Sequence, residues 1–449
     1  MGRRKARCFR AKDLSLLRRP QLAVIIALLL AGSMWFYVQC ILIPYQKADA
    51  AARGRPRGNL SDLYPRWLGT RELLLNHRDP YSSQVTREIQ LGYYGRLLDP
   101  SRPDDPKDQQ AFAYPVYVAF LLAPTVGLRF DAVEAAFRWF LVAVTAASVL
   151  LWLHALHWRP AATTTAILLI LTLGSFPAAQ GIKLQQLTLL VSGFLAGCAA
   201  LLASGYLSAA GILLALATIK PQLAVPLSVW LIFWTMWDWK RRQRLFWGFA
   251  LTMALLLGGG HLILPGWLNL FRSALSAYRQ YAGAASLLDV LVTPAWGTAV
   301  SVVILFALAA ACWRLGRVAA SAQAFAVTLA LTLAVTVVVI PMFAPYNQLL
   351  LLPGILLALR WSRRLWQKRG LPRLVCVVSV VLLGWPWLAT LGLMLVSMWL
   401  PSAEVQHAWA IPLYTSLEIP LAILALLALL AFDPPSHEEP ATASQGIGG

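Results

Sequence analysis

The chain has 449 residues, 59% of them hydrophobic and 13% charged, with a formal net charge of +19. Soluble domains contain about 45–50% apolar and about 25% charged residues, so this composition excludes an ordinary soluble protein and indicates an integral membrane protein. The positive charge does not indicate nucleic-acid binding, because the basic residues lie in short loops between apolar runs, where they fix topology and contact anionic lipids. We therefore expect membrane lipids, and no nucleic acid, as partners.

The N-terminal region predicts a basic tail followed by a first membrane span. Residues 1–20 are strongly basic, so we expect them to form a cytoplasmic tail. The apolar run after them is longer than the ~7–15 residues of a signal-peptide core, which predicts a retained helix over about 21–43. Residues 44–111 then form the first extracytoplasmic loop, because long loops cross the membrane largely regardless of their charge.

Further apolar runs predict an all-α polytopic bundle of about 12 transmembrane helices over residues 21–432. Basic short loops at 239–244 and 360–373 fall on the cytoplasmic side in this arrangement. Residues 265–292 form a second outer loop with amphipathic spacing, and residues 433–449 are expected to be a disordered cytoplasmic tail. The spans after the first are predicted at about 112–130, 134–157, 161–178, 186–204, 207–236, 245–264, 294–313, 322–341, a segment ending at 359, 374–399 and 410–431.

Asp62 in the first outer loop is the candidate general base for a reaction at a hydroxyl group. Pro65 predicts a helix that begins one to three residues before it, because proline is tolerated in a first helical turn. As an N-cap, Asp62 would accept from the N–H of residue 64 or 65, and Pro65 has no N–H, which weakens the capping alternative. The following run predicts a helix in the plane of the interface, with an apolar stripe of Leu63, Tyr64, Trp67, Leu68, Leu74 and Leu75 and with Arg66, Gly69, Glu72 and Asn76 off it.

Three arginines near Asp62 have two possible roles. Arg66, Arg71 and Arg78 either bind a substrate phosphate or face lipid headgroups. Asp79 begins an Asp-Pro-Tyr turn signature, so we assign it a structural role. The adjacent acids at 104 and 105 are expected in a solvated turn, and the first loop has no D-x-D pattern for a metal-bound nucleotide. We therefore expect no metal and no cofactor.

Lys220 lies inside an apolar run, where a lysine costs about 2.5–3.5 kcal/mol on insertion scales and indicates a functional site. Pro221 follows it and predicts a break in the helix. A buried ion pair or a snorkelling side chain is the structural alternative. Lys183 is harder to assign, because its segment is either a cytoplasmic loop or part of a re-entrant pair.

The order of these motifs resembles glycosyltransferase family 87, over roughly Asp62 to Pro353. The first-loop pattern D-L-x-x-x-W followed by D-P-Y is similar to that of the family, and I-K-P-Q around Lys220 resembles its K-P-q motif. Gln185-Gln186 resembles a G-Q that precedes a span, with Gln185 in place of glycine, although helix–helix hydrogen bonding is an alternative role. Tyr114-Pro115 resembles a Y-P at the second span, which we expect to be a structural kink. Pro345-Tyr346-Asn347-Gln348 resembles the late motif, with Asn347 and Gln348 where mycobacterial mannosyltransferases of the family have a pair that includes histidine.

The resemblance implies a membrane enzyme of the GT-C class with its active site on the extracytoplasmic side of the cell membrane. Such an enzyme transfers a sugar, mannose in the best-known relatives, from a polyprenyl-phosphate donor to a lipid or glycan acceptor of the cell envelope. The reaction implied is a metal-independent inversion with Asp62 as the base. The substrate-binding residues that it implies are Arg66, Arg71, Gln186, Lys220, Tyr346 and Asn347.

Two other functions compete with this one. A transporter or lipid flippase would place charged residues near the middle of several spans, whereas the polar residues here gather in the outer loop and at span ends. A non-catalytic scaffold would bind a polyprenyl phosphate without transferring its sugar.

Overall fold

The computed structural model describes residues 20–52, 61–99, 101–282, 285–341 and 344–432. Both predicted tails, apart from residue 20, and the loop residues 53–60 lie outside these ranges. Within them the chain is helical, with α-helices, one π-helical stretch and three short 3₁₀ segments, and with no β-strand. This confirms the predicted all-α class for the described residues.

The helices begin with α1 (Pro20–Ala52), which contains the π-helical stretch Tyr37–Leu42. The α-helices that follow are α2 (Leu63–Asn76), α3 (Ser83–Tyr94), α4 (Val118–Leu122), α5 (Phe130–Ala155), α6 (Ala162–Leu173), α7 (Phe176–Leu184), α8 (Leu187–Ala203), α9 (Leu207–Ala217), α10 (Pro221–Met236), α11 (Trp239–Ile263), α12 (Trp267–Ala282), α13 (Leu287–Leu291), α14 (Pro294–Arg314), α15 (Gln323–Val339), α16 (Leu352–Arg360), α17 (Ser362–Gln367), α18 (Leu371–Val396), α19 (Ser402–His407) and α20 (Ile419–Phe432). The 3₁₀ segments are Ala123–Thr125, Pro345–Leu351 and Ile411–Leu413.

Five helices of the described chain are long and apolar enough to cross a membrane, namely α1, α5, α11, α14 and α18. Helices α6 and α7 pass the same test only as a pair, and they meet at a bend of 54°. Several shorter apolar helices, such as α8 and α15, accompany them. This set of helices fits a polytopic membrane protein. An α-helix pairs its backbone N–H and C=O groups within itself, so it can lie in the bilayer core, where no water is present to bond them.

The predicted second span over 112–130 is wrong. Only α4 and a 3₁₀ turn at Ala123–Thr125 form there, and the helix has five residues. Pro115 and Pro124 lack the N–H that an uninterrupted helix needs, and Gly127 favours a turn, so an apolar composition alone does not produce a span. The last predicted span, 410–431, is also shorter than expected, since α20 begins only at Ile419.

Helix α2 forms where the sequence predicts it, with a different buried face. Leu63, Trp67 and Leu73 are buried, whereas Leu75, which was expected on the apolar stripe, is 49% exposed. Glu72 was expected off the stripe and is buried, because Asn76 and an arginine of the following turn donate hydrogen bonds to its carboxylate. Hydrogen bonds to polar partners therefore determine which side chains are buried in the C-terminal half of α2.

Helix α8 lies at the centre of the fold and brings the site residues to it. Most of its residues are buried, and its N-cap is Gln186. The preceding residue, Gln185, has a left-handed backbone with φ 50°, a conformation that glycine adopts more readily than other residues. Its side chain is held by Ser61 and by the Glu134 carbonyl, 3.0 Å from its amide nitrogen, so the turn between α7 and α8 is fixed on both sides.

Candidate functional site

Asp62 stands at the head of α2, where Pro65 predicts that the helix begins. Its backbone N–H donates to the carbonyl of Leu184 at 2.8 Å, which ties the start of α2 to the end of α7. Its side chain makes no capping hydrogen bond to α2, so the capping alternative is wrong. The carboxylate is instead turned toward other segments of the chain.

Two neutral donors from distant segments hold the half-buried Asp62 carboxylate. The amide nitrogen Nε2 of Gln186 donates to Oδ2. The hydroxyl of Tyr93, on α3, lies 3.5 Å from Oδ1, which is the upper limit for a hydrogen bond. Because these contacts leave lone pairs on the carboxylate, it can still accept a proton from a substrate hydroxyl.

Lys220 sets the direction of the hydrogen bonds behind Asp62. Its Nζ donates to Oε1 of Gln186 at 2.9 Å and to the hydroxyl of Thr188 at 2.7 Å. Thr188 then donates to Oδ1 of Asn347 at 3.1 Å. Since an ammonium group only donates, the carbonyl of Gln186 must face Lys220 and its amide nitrogen must face Asp62. The lysine thus orients the group that holds the candidate base.

The break predicted at Lys220 explains how a cation reaches this position. Helix α9 ends at Ala217 and α10 begins at Pro221, so Lys220 lies in the gap between two half-helices. The freed carbonyl of Thr218 accepts a hydrogen bond from the hydroxyl of Tyr117 at 2.9 Å. Lys220 is only 7% exposed, which rules out the snorkelling alternative. Its link to Asp62 runs through Gln186.

Aromatic rings enclose the two cations of the site. The Lys220 ammonium lies 5.1 Å from the ring centre of Tyr346 and 5.9 Å from that of Tyr114. The Arg66 guanidinium lies 4.8 Å from the Tyr114 ring centre. These distances suit cation–π attraction, which is strongest where water is excluded. Tyr114, which was expected only to mark a kink, is therefore a site residue.

Arg66 has one buried donor for which the described chain supplies no hydrogen-bond partner. Its Nη1 donates to the backbone carbonyl of Asp62 at 2.8 Å, which is the ordinary i, i+4 reach along α2. Its Nε is buried and has no hydrogen-bond partner in the described residues. A buried donor without a partner costs about 1–3 kcal/mol, so a ligand oxygen at this position would be favoured.

Burial raises the pKa of the Asp62 carboxyl above its ordinary value, although Arg66, Gln186, Lys220 and Tyr93 oppose the shift. Burial also raises the pKa of Asp108 and of Tyr278, and both of these groups interact electrostatically with Arg66 and Asp62. A carboxylate with a raised pKa is a stronger base than a solvated one. The site thus pairs a basic carboxylate with fixed positive charge.

Other predicted residues lie apart from this cluster. Arg71 lies over the Trp67 ring, 5.5 Å from its centre, and the described contacts do not join it to Asp62. Arg78 forms ion pairs with Glu72 at 2.9 Å and with Glu88 at 2.6 Å, which indicates a structural role. Asp79 accepts from the N–H two residues later at 2.8 Å, which confirms the predicted turn.

Sequence reasoning selected Asp62, Gln186, Lys220, Tyr346 and Asn347, and the structure brings all five together. It missed Tyr93, Tyr114 and Thr188, because a single tyrosine or threonine in an apolar context has no pattern that distinguishes it. Gln348 lies outside the cluster and donates to the Ser416 carbonyl at 2.6 Å. Among the described residues, no group of three or more His, Cys, Asp and Glu side chains is arranged to hold a metal ion.

No protein-family model, curated protein or solved structure matches this chain.

Proposed function

We propose that this protein is a membrane glycosyltransferase that moves a sugar from a polyprenyl-phosphate donor to a hydroxyl group of a lipid or glycan acceptor. The observation that carries the proposal is the position of Asp62, a half-buried carboxylate with a raised pKa between two cations. Gln186 and Tyr93 from distant segments hold this carboxylate, and the motif resemblance also selects Asp62, Gln186 and Lys220. A water-soluble sugar donor would not need a binding site placed among apolar helices.

In the proposed reaction, Asp62 takes the proton of the acceptor hydroxyl as the oxygen attacks the anomeric carbon. The bond between that carbon and the donor phosphate oxygen breaks at the same time, so the configuration inverts and polyprenyl phosphate leaves. The acceptor proton ends on Asp62 and the bonding electron pair ends on the phosphate. A positioned base contributes about 10²–10⁴-fold to such a step.

The leaving phosphate gains negative charge, which a fixed cation stabilises without reorganisation. Arg66 supports this role, because its buried Nε has no partner in the described chain and points to a missing acceptor. Lys220 is less suited to direct phosphate contact, since Gln186 and Thr188 already accept from its ammonium. In this proposal Arg66 binds the phosphate, and Lys220 orients Asp62 through Gln186.

The proposal also includes three more specific features of the protein. They are membership of family 87 in the GT-C class, about 12 membrane crossings and a site on the extracytoplasmic side of the cell membrane. Mannose is the first sugar to test, because it is the sugar of the best-known members of that family. Among the described residues, five helices and the bent pair are long and apolar enough to cross a membrane, so the further crossings of this proposal fall on the shorter apolar helices.

Sugar transfer by the purified protein tests the proposal. The full chain, reconstituted in lipid nanodiscs, is incubated with radiolabelled polyprenyl-phosphate mannose and with an extract of membrane lipids and glycans as acceptors. Arabinofuranose, glucose and galactose donors are tested in parallel. We expect label in a new product with at least one donor, and absence of a product with all four would contradict the proposal.

One observation favours a second candidate, a transporter or lipid flippase. Helices α6 and α7 are bent by 54°, and α9 and α10 are separated at Lys220, and interrupted helices of this kind form the binding sites of many transporters. Proteoliposomes with a fluorescent polyprenyl-phosphate mannose in one leaflet, together with membrane lipids as acceptors, distinguish the two. A transporter moves the probe between leaflets without forming a glycoside, whereas the proposed enzyme forms the glycoside.

A further inference from the structure

A second carboxylate, that of Asp108, lies near the site of Asp62. It stands in the non-helical segment between α3 and α4. Asp108 interacts electrostatically with Asp62 and with Arg66, and both of these side chains belong to the candidate site. No motif in the sequence selects Asp108, and the proposed reaction gives it no part, so its presence beside the site needs a separate account.

Two neighbouring tyrosines of α3 connect the two aspartates. The hydroxyl of Tyr93 lies 3.5 Å from Oδ1 of Asp62, and the hydroxyl of Tyr94 donates to the backbone carbonyl of Asp108 at 2.8 Å. Both rings are buried and they meet edge to face, with 4.9 Å between their centres. The C-terminal end of α3 therefore supports Asp62 and Asp108 on one pair of packed rings.

Gln110 fixes the carboxylate of Asp108. Its backbone N–H donates to Oδ1 at 2.9 Å, and its Nε2 donates to Oδ2 at 2.9 Å. Gln110 is buried and has a left-handed backbone with φ 54°, a conformation that is unfavourable for a residue other than glycine. Such conformations persist only where surrounding contacts fix them, and they cluster at functional sites. The chain thus holds this carboxylate in one position.

The contacts of Asp108 leave acceptor capacity for a ligand. Its carboxylate accepts two hydrogen bonds, both from neutral donors, and forms no ion pair among the described residues. A carboxylate offers about four acceptor positions, so two remain. Hydroxyl groups of a ligand would donate to these positions, whereas a phosphate would be repelled by the negative charge. Asp108 therefore suits a neutral ligand with O–H groups.

The proposed reaction identifies this ligand. Asp62 and Arg66 are one turn apart on α2, and they contact the acceptor hydroxyl and the donor phosphate in that reaction. The buried Nε of Arg66, which has no partner in the described residues, independently indicates a ligand in this cluster. The donor sugar joins the two reacting groups, so it lies between the two side chains. Because Asp108 interacts with both of them, it lies beside the sugar ring.

We propose that Asp108 binds the sugar of the donor, by accepting hydrogen bonds from its ring hydroxyl groups, and thereby selects the glycosylated donor over bare polyprenyl phosphate. This role rests on the proposed function, because it takes a polyprenyl-phosphate sugar as the donor. Asp108 moves no proton in the reaction. Tyr94 and Gln110 position it, through its backbone carbonyl and its carboxylate respectively.

Binding of the donor in the absence of an acceptor tests this role. The full chain in detergent is titrated with the four polyprenyl-phosphate sugars and with polyprenyl phosphate, and bound lipid is counted by native mass spectrometry. At least one sugar donor should bind about tenfold more tightly than polyprenyl phosphate, the ratio expected when a charged acceptor gains a hydrogen bond. Equal binding of all five probes would show that the protein has no sugar-binding site and would overturn the proposal.

Asp108→Asn should remove the preference for the sugar donor. The variant keeps the size of the side chain and loses its charge, so its affinity for the sugar donor should fall about tenfold, while its affinity for polyprenyl phosphate should be unchanged or higher. Asp104→Asn is the matched control, because Asp104 is an exposed acid of the same segment, and it should bind as the natural protein does. An equal loss for both probes in Asp108→Asn would show that Asp108 only maintains the fold of the site. An unchanged preference would show that it does not contact the sugar, and either result overturns the proposal.

Singly deoxygenated forms of the preferred donor assign the contact to a hydroxyl group. The form that lacks the contacted hydroxyl should bind the natural protein about tenfold less tightly than the parent donor. It should bind Asp108→Asn nearly as tightly as the parent donor does, because the contact is already lost in that variant. If every deoxy form loses the same affinity in both proteins, the hydroxyl groups and Asp108 act independently, which would contradict the proposal.

Failure of this role and failure of the proposed function give different results. If sugar is transferred and Asp108→Asn keeps the preference for the sugar donor, the enzyme stands and Asp108 is not its sugar-binding residue. If the preference depends on Asp108 and no sugar is transferred from any donor, the sugar site stands and the glycosyltransferase proposal fails. If Asp108→Asn lowers kcat at saturating donor as much as Asp62→Asn does, Asp108 acts in the chemical step, which overturns the binding role.

Discussion

Gln186 bridges the candidate base and the buried lysine, so replacing it tests whether the site is built as described. In Gln186→Leu, Asp62 loses the donor to Oδ2 and Lys220 loses one of its two acceptors. Hydrogen bonds to charged groups contribute about 1.5–3 kcal/mol each, so the two losses together cost about 3–6 kcal/mol. The added apolar burial of leucine offsets about 1–2 kcal/mol. We expect a net destabilisation of about 1–5 kcal/mol.

Unfolding in mixed micelles, with a rising fraction of sodium dodecyl sulfate in a mild detergent, measures this free energy by circular dichroism. Gln348→Leu is the matched control, because Gln348 is equally buried and makes one hydrogen bond to a neutral carbonyl. The control should stay within about 1 kcal/mol of the natural protein, since a neutral hydrogen bond and the gain in apolar burial nearly cancel. Equal stability of the two variants would show that the bridge through Gln186 contributes nothing and would refute this reasoning.

Three further predictions concern packing, charge and substrate binding. In Gly248→Ala the new methyl meets the backbone of Ser208 on α9, so we expect a loss of about 1–3 kcal/mol in the same unfolding assay, whereas Gly258→Ala on the same helix meets nothing and should be neutral. Lys220→Met removes a positive charge that lowers the pKa of Asp62, so the protonated Asp62 carboxyl should persist to higher pH than in the natural protein. Infrared spectroscopy measures this, since the band of that carboxyl is identified by its absence in Asp62→Asn. A band that disappears at lower pH than in the natural protein would contradict this prediction. Arg66→Met should lower kcat/KM for sugar transfer about 10²–10³-fold and Arg71→Met should leave it nearly unchanged, and equal losses would show that the buried Nε of Arg66 has no special role.

The raised pKa of Asp62 also fixes the sign of its contribution to stability. A carboxyl whose pKa is higher in the folded than in the unfolded state binds more protons when folded between those two values. Its contribution to the free energy of unfolding therefore falls as the pH rises from about 3.9, the unfolded value, through the folded pKa. Base catalysis needs the ionised form, so the rate of transfer should rise over that same range.

Sequence reasoning selected several residues of the candidate site because these residue types are chemically unusual at their positions. A lysine before a proline inside an apolar run predicts both a cation and a broken helix, and the structure has both at Lys220 and Pro221. The start of α2 followed from the tolerance of Pro65 in a first turn. Both predictions use local rules, in which one residue constrains the backbone next to it.

The parts that sequence reasoning missed depend on contacts between distant segments. Tyr114 lies beside Arg66 and Lys220 in the non-helical segment before α4, and hydropathy alone does not detect the proline that keeps this segment from forming a span. Arg66 and Arg71 are the same residue type on the same helix, so the sequence does not distinguish their roles. In the structure Arg66 packs against Tyr114, whereas Arg71 packs against Trp67. Side-chain roles of this kind require the tertiary structure.

The rate of sugar transfer by Asp62→Asn tests the central claim most directly. Asparagine keeps the size of the side chain and can still accept from Gln186, so the variant should fold while it loses the base. Asp131→Asn is the control, because that carboxylate is exposed and pairs only with the exposed Arg129 among the described contacts. We predict that Asp62→Asn lowers kcat about 10²–10⁴-fold and that the control retains its rate. Normal transfer by a folded Asp62→Asn protein would contradict the proposed role of Asp62.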